Sequence, residues 1–173
     1  RPKVTPRDFS RLANLTVVAV FIVVVSGAVV RLTDSGLGCE GWPECSETVF
    51  PARDFHATVE FVNRVIALIG IFVTLTTAVL VRFVESKPRW LGRVALLVGI
   101  GMVAQIPLGG LTVLLDLHPL AVMAHFLLAL IVIGLSVYTA VVAYHNAYKK
   151  DCEGEVGGTM KRAAALSFLL LPL

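Results

Sequence analysis

The chain has 173 residues, of which 57% are hydrophobic and 16% are charged, and its formal net charge is +3. Soluble domains have an apolar fraction nearer half, so this composition excludes an ordinary soluble domain and indicates a protein that lies in lipid. The small positive charge comes from basic segments between apolar runs, and no nucleic-acid binding is predicted from it.

Four apolar stretches are long enough to cross a bilayer, whose hydrocarbon core of ~30 Å requires about 20 mainly apolar residues per helix. These stretches are residues 12–32, 57–84, 91–115 and 119–145. Each is predicted to be a helix, because an open strand edge in lipid leaves backbone groups unpaired. The predicted fold class is all-α, a polytopic membrane four-helix bundle over residues 1–162 with an outside loop at 33–56.

A fifth apolar run begins at Ala163 and ends at Leu173, which is too short for a span. We expect it to be the truncated start of a fifth transmembrane helix, and the chain to be part of a longer polytopic protein. The first apolar run is too long for a cleavable signal peptide and is expected to remain as an anchor.

The basic residues predict the orientation of the bundle, because they cluster in three segments outside the spans. The clusters are Arg1, Lys3, Arg7 and Arg11; Arg82, Lys87, Arg89 and Arg93; and Lys149, Lys150, Lys161 and Arg162. The positive-inside rule assigns such segments to the cytoplasm. The N-terminus is therefore expected to be cytoplasmic and the 33–56 loop to lie outside.

The first outside loop contains the stretch SGLGCEGWPEC, in which five residues separate Cys39 from Cys45. The outside compartment permits disulfides and the spacing allows one, so a structural disulfide is the favoured interpretation. A redox-active dithiol that exchanges with a partner is the alternative, and a zinc site is disfavoured because further ligands are missing nearby. Trp42 is expected to anchor the loop at headgroup depth, and Cys152 to be a free cytoplasmic thiol.

The second span carries polar residues near its outer end. His56, Glu60 and Asn63 follow the i, i+4, i+7 pattern of one helix face, and Arg64 lies beside them. Glu60 and Asn63 are expected one to two turns below the outer surface. A carboxyl there is costly unless it is paired or faces a cavity, so Glu60 is either a functional group or half of an i,i+4 ion pair with Arg64.

The third and fourth spans place more polar and small residues at the same level. The segment QIPLGG is expected to bring the Gln105 amide into the bundle and to allow a kink or close packing at Pro107. His118 and His125 share one face of the fourth span, with His125 ~9 Å below the outer surface by helix rise. We therefore expect His125 to share a pocket with Glu60.

The residue types in this pocket suit a heme. A neutral imidazole such as that of His125 is a good axial ligand for heme iron, and a guanidinium such as that of Arg64 suits a heme propionate. The small and apolar residues of the first and third spans suit a flat porphyrin. A histidine considered alone is also compatible with a hydrogen-bonded packing role.

Four segments resemble, in the same order, motifs of the heme A synthase family of membrane enzymes. They are VVRLTDSGLGCEGWPEC, ATVEFVNRVIAL, PLGGLTVLL and HPLAVMAHFLLAL. The resemblance covers nearly the whole chain and implies the N-terminal half of a pseudo-symmetric eight-helix protein. It further implies oxidation of a methyl group of heme O to the formyl group of heme A, with a heme b cofactor in the other half.

The resemblance also implies roles for single residues. Glu60 matches the essential glutamate of the family, and His125 matches its heme-ligating histidine. Cys39 and Cys45 match a disulfide-forming loop pair of many bacterial members. Eukaryotic members generally lack this pair, so a multi-pass protein of a prokaryotic plasma membrane is expected.

One position departs from the family pattern, because this chain has Asn63 where many members have histidine. An amide is a poor iron ligand, so we expect His125 to be the single protein ligand of the heme iron. Arg64 is expected near a propionate. His56 is the alternative second ligand, but it is expected to lie too near the surface.

The predicted function is a heme O hydroxylating oxidoreductase for cytochrome oxidase biogenesis. The expected partners are heme O synthase or oxidase assembly factors, and the sequence is compatible with a homo-oligomer. Two alternatives stay open. A membrane thiol-disulfide oxidoreductase would use Cys39 and Cys45 and bind no heme. A non-enzymatic transporter or assembly subunit would have structural histidines only.

Overall fold

The computed structural model describes residues 3–39, 42, 45 and 54–148. The predictions for Cys152 and for the run 163–173 lie outside the described residues. Within these residues the chain forms four helices that are long and apolar enough to cross a membrane. The predicted all-α class is confirmed, and the chain is a multi-pass membrane protein.

The helices follow the apolar stretches closely. Their bounds are α1 Pro6–Leu32, α2 Phe55–Leu80, α3 Arg89–Leu114 and α4 Pro119–Tyr148, and a short 3-10 turn Val81–Phe83 continues α2. α1 begins before its apolar run because the side chain of Thr5 accepts a hydrogen bond from the Asp8 N–H at 3.1 Å. Pro6 then occupies the first helical position, where no N–H donor is needed.

The four helices form a square. α1 packs against α2 and α4, and α3 packs against the same two helices. α2 and α4 therefore occupy opposite corners, where their inward faces look toward each other across the bundle. This arrangement is what allows residues from α2 and α4 to contribute to one site.

Two clusters of buried apolar side chains fill the bundle. One lies at the end that carries the N-terminus and includes Phe9 and Leu91, and the other lies at mid-depth and includes Met102 and Val132. Lipid is as apolar as these side chains, so close packing contributes more than exclusion from water. At Gly101 an added Cβ would lie 2.5 Å from Cγ2 of Val132, so α3 and α4 approach this closely only with glycine there.

Candidate functional site

The site lies at one end of the bundle, which we call the disulfide end because it carries Cys39 and Cys45. Both α1 and α3 finish there, and both α2 and α4 begin there. The side chains predicted from sequence to share a layer are all near this end. Their individual contacts define what each can do.

Glu60 is the most deeply buried acidic side chain in the described part of the chain, with a relative exposure of 4%. One carboxylate oxygen, Oε1, accepts a hydrogen bond from the Arg64 guanidinium at 2.5 Å. The other, Oε2, accepts the backbone N–H of Cys39 at 2.8 Å. The i,i+4 ion pair is therefore present, and the same carboxylate also binds the loop that follows α1.

The predicted disulfide is confirmed. Cys39 and Cys45 are bonded, with 4.4 Å between their Cα atoms. Both residues are buried and form a small cluster with Ala57, against which Phe61 packs. A partner thiol has little access to these sulfur atoms in this conformation, which argues against the thiol-exchange alternative.

The loop between α1 and α2, which we call the disulfide loop, packs directly against the helices. At Gly38 an added Cβ would lie 2.3 Å from the carbonyl carbon of His56, so only glycine permits this approach of two backbones. The indole of Trp42 packs on α3, where a Cβ added at Gly110 would lie 2.7 Å from two ring atoms. The loop therefore contacts α2 through Gly38 and α3 through Trp42.

Asn63 faces α1. Its side-chain oxygen accepts a hydrogen bond from the Ser26 hydroxyl at 2.7 Å. A Cβ added at the neighbouring Gly27 would lie 3.9 Å from the same oxygen, so α1 leaves room for the amide. The sequence gives no sign of the contact with Ser26, because a hydrogen bond between helices has no characteristic spacing.

His56 is exposed on the first turn of α2. Its Nδ1 lies 3.0 Å from the hydroxyl of the fully buried Ser35, and that hydroxyl lies 2.7 Å from the hydroxyl of Thr33. These contacts connect the end of α1 to the start of α2. The structure thus places His56 in a surface network above the layer of Asn63.

His125 lies on α4 and packs against α3. A Cβ added at Gly109 would lie 3.2 Å from Cε1 of the ring, so the imidazole occupies the space left by the missing side chain. The Gln105 side-chain N–H donates to the backbone carbonyl of His125 at 3.3 Å. Among the described residues, Nδ1 of His125 and Oε1 of Gln105 are both buried and lack a hydrogen-bond partner.

The structure connects Glu60 and His125 through the loop and α3. Cys39 bonds to Glu60, and Trp42 of the same loop rests on Gly110. The adjacent Gly109 contacts the His125 ring. His118, in contrast, lies at the exposed start of α4, where its Nδ1 accepts the Leu120 N–H at 3.4 Å.

The sequence of this chain is similar to those of several known proteins. It matches the family COX15-CtaA, described as cytochrome oxidase assembly protein, over residues 10–58 and 53–173. A heme A synthase of Bacillus licheniformis is 25% identical over 152 residues, covering 87% of this chain and 50% of the relative. A heme A synthase of Geobacillus kaustophilus is 31% identical over 128 residues, covering 71% of this chain and 39% of the relative.

A third relative has a different name. A protoheme IX farnesyltransferase 1 of Natronomonas pharaonis is 34% identical over 132 residues, which is 74% of this chain and 28% of the relative. The chain thus spans about half or less of the length of these curated relatives. No solved structure matches the chain. The family match extends over nearly all of the sequence, and the chain belongs to the COX15-CtaA family of cytochrome oxidase assembly proteins.

Proposed function

We propose that this chain is the N-terminal half of a heme A synthase, a membrane oxidoreductase that converts a methyl group of heme O to the formyl group of heme A. The observation that carries the proposal is the His125 ring, whose buried Nδ1 has no partner among the described residues and which lies at the same end of the bundle as the buried Glu60 carboxylate. The names of the heme A synthase relatives support the same activity.

The donor set fits a heme substrate that is held by one protein ligand. His125 supplies the imidazole for the iron, and its wall at Gly109 is free of side-chain atoms. Asn63 does not compete as a ligand, because its oxygen is bonded to Ser26. Arg64 lies in the same layer, and we assign it to a heme propionate. Arg64 would bind the propionate either while it keeps its ion pair with Glu60 or after that ion pair opens.

Glu60 is the residue that we assign to the chemistry. Oxidation of the methyl group with water as the oxygen source releases protons and electrons. The Glu60 carboxylate would act as the base for the attacking water, or as the fixed negative charge beside the electron-poor carbon. The electrons would leave through a heme b in the half of the protein that this chain lacks.

The proposal extends to location and partners. The basic segments support a cytoplasmic N-terminus and a disulfide end on the outside, and the loop cysteine pair together with the bacterial relatives supports a prokaryotic plasma membrane. The Natronomonas farnesyltransferase carries a region similar to this chain within a longer polypeptide. That combination supports the enzyme that supplies heme O as a neighbour, and the family description supports oxidase assembly factors. A second copy of the protein is proposed as a further partner.

Glu60→Gln tests the proposed chemistry, because glutamine keeps the size and the acceptor for the Cys39 N–H but removes the charge. In the complete polypeptide we expect heme to be bound with an unchanged absorption spectrum and the formyl product to fall by about 100-fold or more. The measurement is chromatographic separation of extracted hemes. Glu85→Gln is the matched control, because Glu85 pairs with Lys3 at the other end of the bundle.

Full conversion of heme O by the Glu60→Gln variant would show that Glu60 serves only the ion pair and the loop. His125→Ala provides the complementary test. It should lower the heme content and change the spectrum, and an unaltered heme content and spectrum would contradict the ligand role. A purified wild-type protein that shows no heme absorption, oxidised or reduced, would contradict the heme proposal as a whole.

A further inference from the structure

We propose that Gln105 is a positioning residue for His125: its side-chain carbonyl accepts a hydrogen bond from the Nδ1–H group, which keeps the proton on Nδ1 and leaves Nε2 unprotonated and available to the heme iron. The inference rests on the proposed function in one respect, the identification of heme iron as the group that His125 binds. The hydrogen bond itself rests on the contacts between α3 and α4.

The backbone carbonyl of His125 determines which end of the Gln105 amide carries the NH₂ group. Its nitrogen donates to the backbone carbonyl of His125 at 3.3 Å. A carbonyl can only accept, so the NH₂ end of the amide must face it, and the two ends of the amide cannot be exchanged. Oε1 of Gln105 is consequently a buried acceptor with no partner among the described residues.

Nδ1 of His125 is the complementary group. It is buried and likewise has no partner in the described part of the chain, although the ring lies against α3, with Nδ1 3.7 Å from a Cβ added at Gly109. Gln105 and Gly109 are four residues apart, so they lie on the same face of α3 and approach α4 together. Gln105 is therefore one helical turn of α3 away from Gly109, the point at which the His125 ring contacts this helix.

One hydrogen bond would satisfy both atoms. A neutral imidazole carries its proton on either nitrogen, and an acceptor-only partner at Nδ1 selects the tautomer with the proton there. A buried polar atom without a partner costs free energy, so a rotation of the Gln105 side chain that brings Oε1 to the ring nitrogen is favoured. The lone pair of Nε2 then points away from Gln105. Such outer partners orient metal-ligating histidines and raise their basicity.

The tautomer is measurable before any heme is added. The complete polypeptide is labelled with ¹⁵N-histidine and purified without heme, and the His125 signal is identified by its loss in His125→Ala. We expect the wild-type ring to carry its proton on Nδ1. In Gln105→Leu, which is similar in size and suited to lipid, we expect that preference to disappear. An unchanged tautomer in Gln105→Leu would overturn the inference.

The heme-loaded protein gives a second readout. Gln105→Leu should raise the midpoint potential of the heme bound to His125 and weaken heme binding by about 10-fold or more. Gln105→Glu restores an acceptor and should lower the potential to the wild-type value or below. The control is Thr139→Val, which removes a buried hydroxyl bonded to the Leu135 carbonyl of α4 at 2.8 Å and should leave the potential unchanged.

The two proposals fail in different ways. A heme whose spectrum does not respond to His125→Ala contradicts the proposed function. A heme that responds to His125→Ala, but whose potential is equal in the wild type, Gln105→Leu and Gln105→Glu, contradicts the role of Gln105 alone.

Discussion

At the scale of single residues, the partner of Asn63 decides what this position contributes. The Ser26 hydroxyl donates to the Asn63 oxygen at 2.7 Å, so the one atom of the amide that could approach a metal is already engaged. A heme held by His125 would then have an open position on its iron. The bond across α1 and α2 thus agrees with a site that has one protein ligand.

Asn63→His should supply a second protein ligand at that open position of the iron, because imidazole binds iron far better than an amide does. We expect the heme to change from a high-spin to a low-spin spectrum, measured by absorption and electron paramagnetic resonance. Asn14→His is the matched control, since Asn14 is exposed on α1 near the N-terminal end. Identical spectra of Asn63→His and the wild type would place the heme elsewhere.

At the scale of secondary-structure elements, the start of α2 determines where the site residues face. The Asp54 side chain accepts the Ala57 N–H at 3.1 Å and caps the helix. The pKa of Asp54 lies below its usual value, mainly because its carboxylate accepts this hydrogen bond from Ala57. The cap sets the first turn of α2 and therefore the direction in which Glu60 projects two turns later.

Asp54→Ala should lower the thermal unfolding midpoint at neutral pH, because the cap is lost. A carboxylate with a lowered folded-state pKa stabilises the fold above its unfolded pKa, near 4, and that stabilisation is lost as pH falls through the folded value. The difference between wild type and Asp54→Ala should therefore shrink below about pH 4. Circular dichroism in detergent at several pH values measures it, and a difference that is constant with pH would contradict this account.

At the scale of the whole molecule, the disulfide loop joins parts of the site that the helices alone leave separate. Cys39 bonds to Glu60 on α2, while Trp42 rests on Gly110 of α3. The short ring closed by the disulfide holds both contacts together. The described loop residues therefore connect α2 with α3 at this end of the bundle, and Cys39 supplies a donor to the buried carboxylate.

Cys39→Ser combined with Cys45→Ser should release this connection. With a sequence separation of 6 between the cysteines, loss of the bond should lower the free energy of unfolding by about 2 kcal/mol. Heme A formation should fall as well, because the Cys39 N–H no longer stays on Glu60. Denaturant titration and heme extraction measure the two effects, with Cys152→Ser as the thiol control. Unchanged product formation would limit the disulfide to stability.

Much of this protein could be predicted from its sequence. The apolar runs determined four membrane helices, because lipid accepts only a backbone whose hydrogen bonds are satisfied within the segment. Helical spacing placed Glu60, Asn63 and Arg64 together on α2. The loop cysteines were correctly expected to form a disulfide, because spacing and compartment both permitted it.

Other features depended on contacts between residues far apart in the chain. No periodicity indicates that Ser26 binds Asn63, that the Cys39 backbone binds Glu60, or that Gln105 meets His125. Sequence by itself determined the four apolar helices and which residues share a helix face, because hydrophobicity and helical periodicity are local properties. The tertiary structure decided their partners, because hydrogen bonds between helices depend on how the bundle closes.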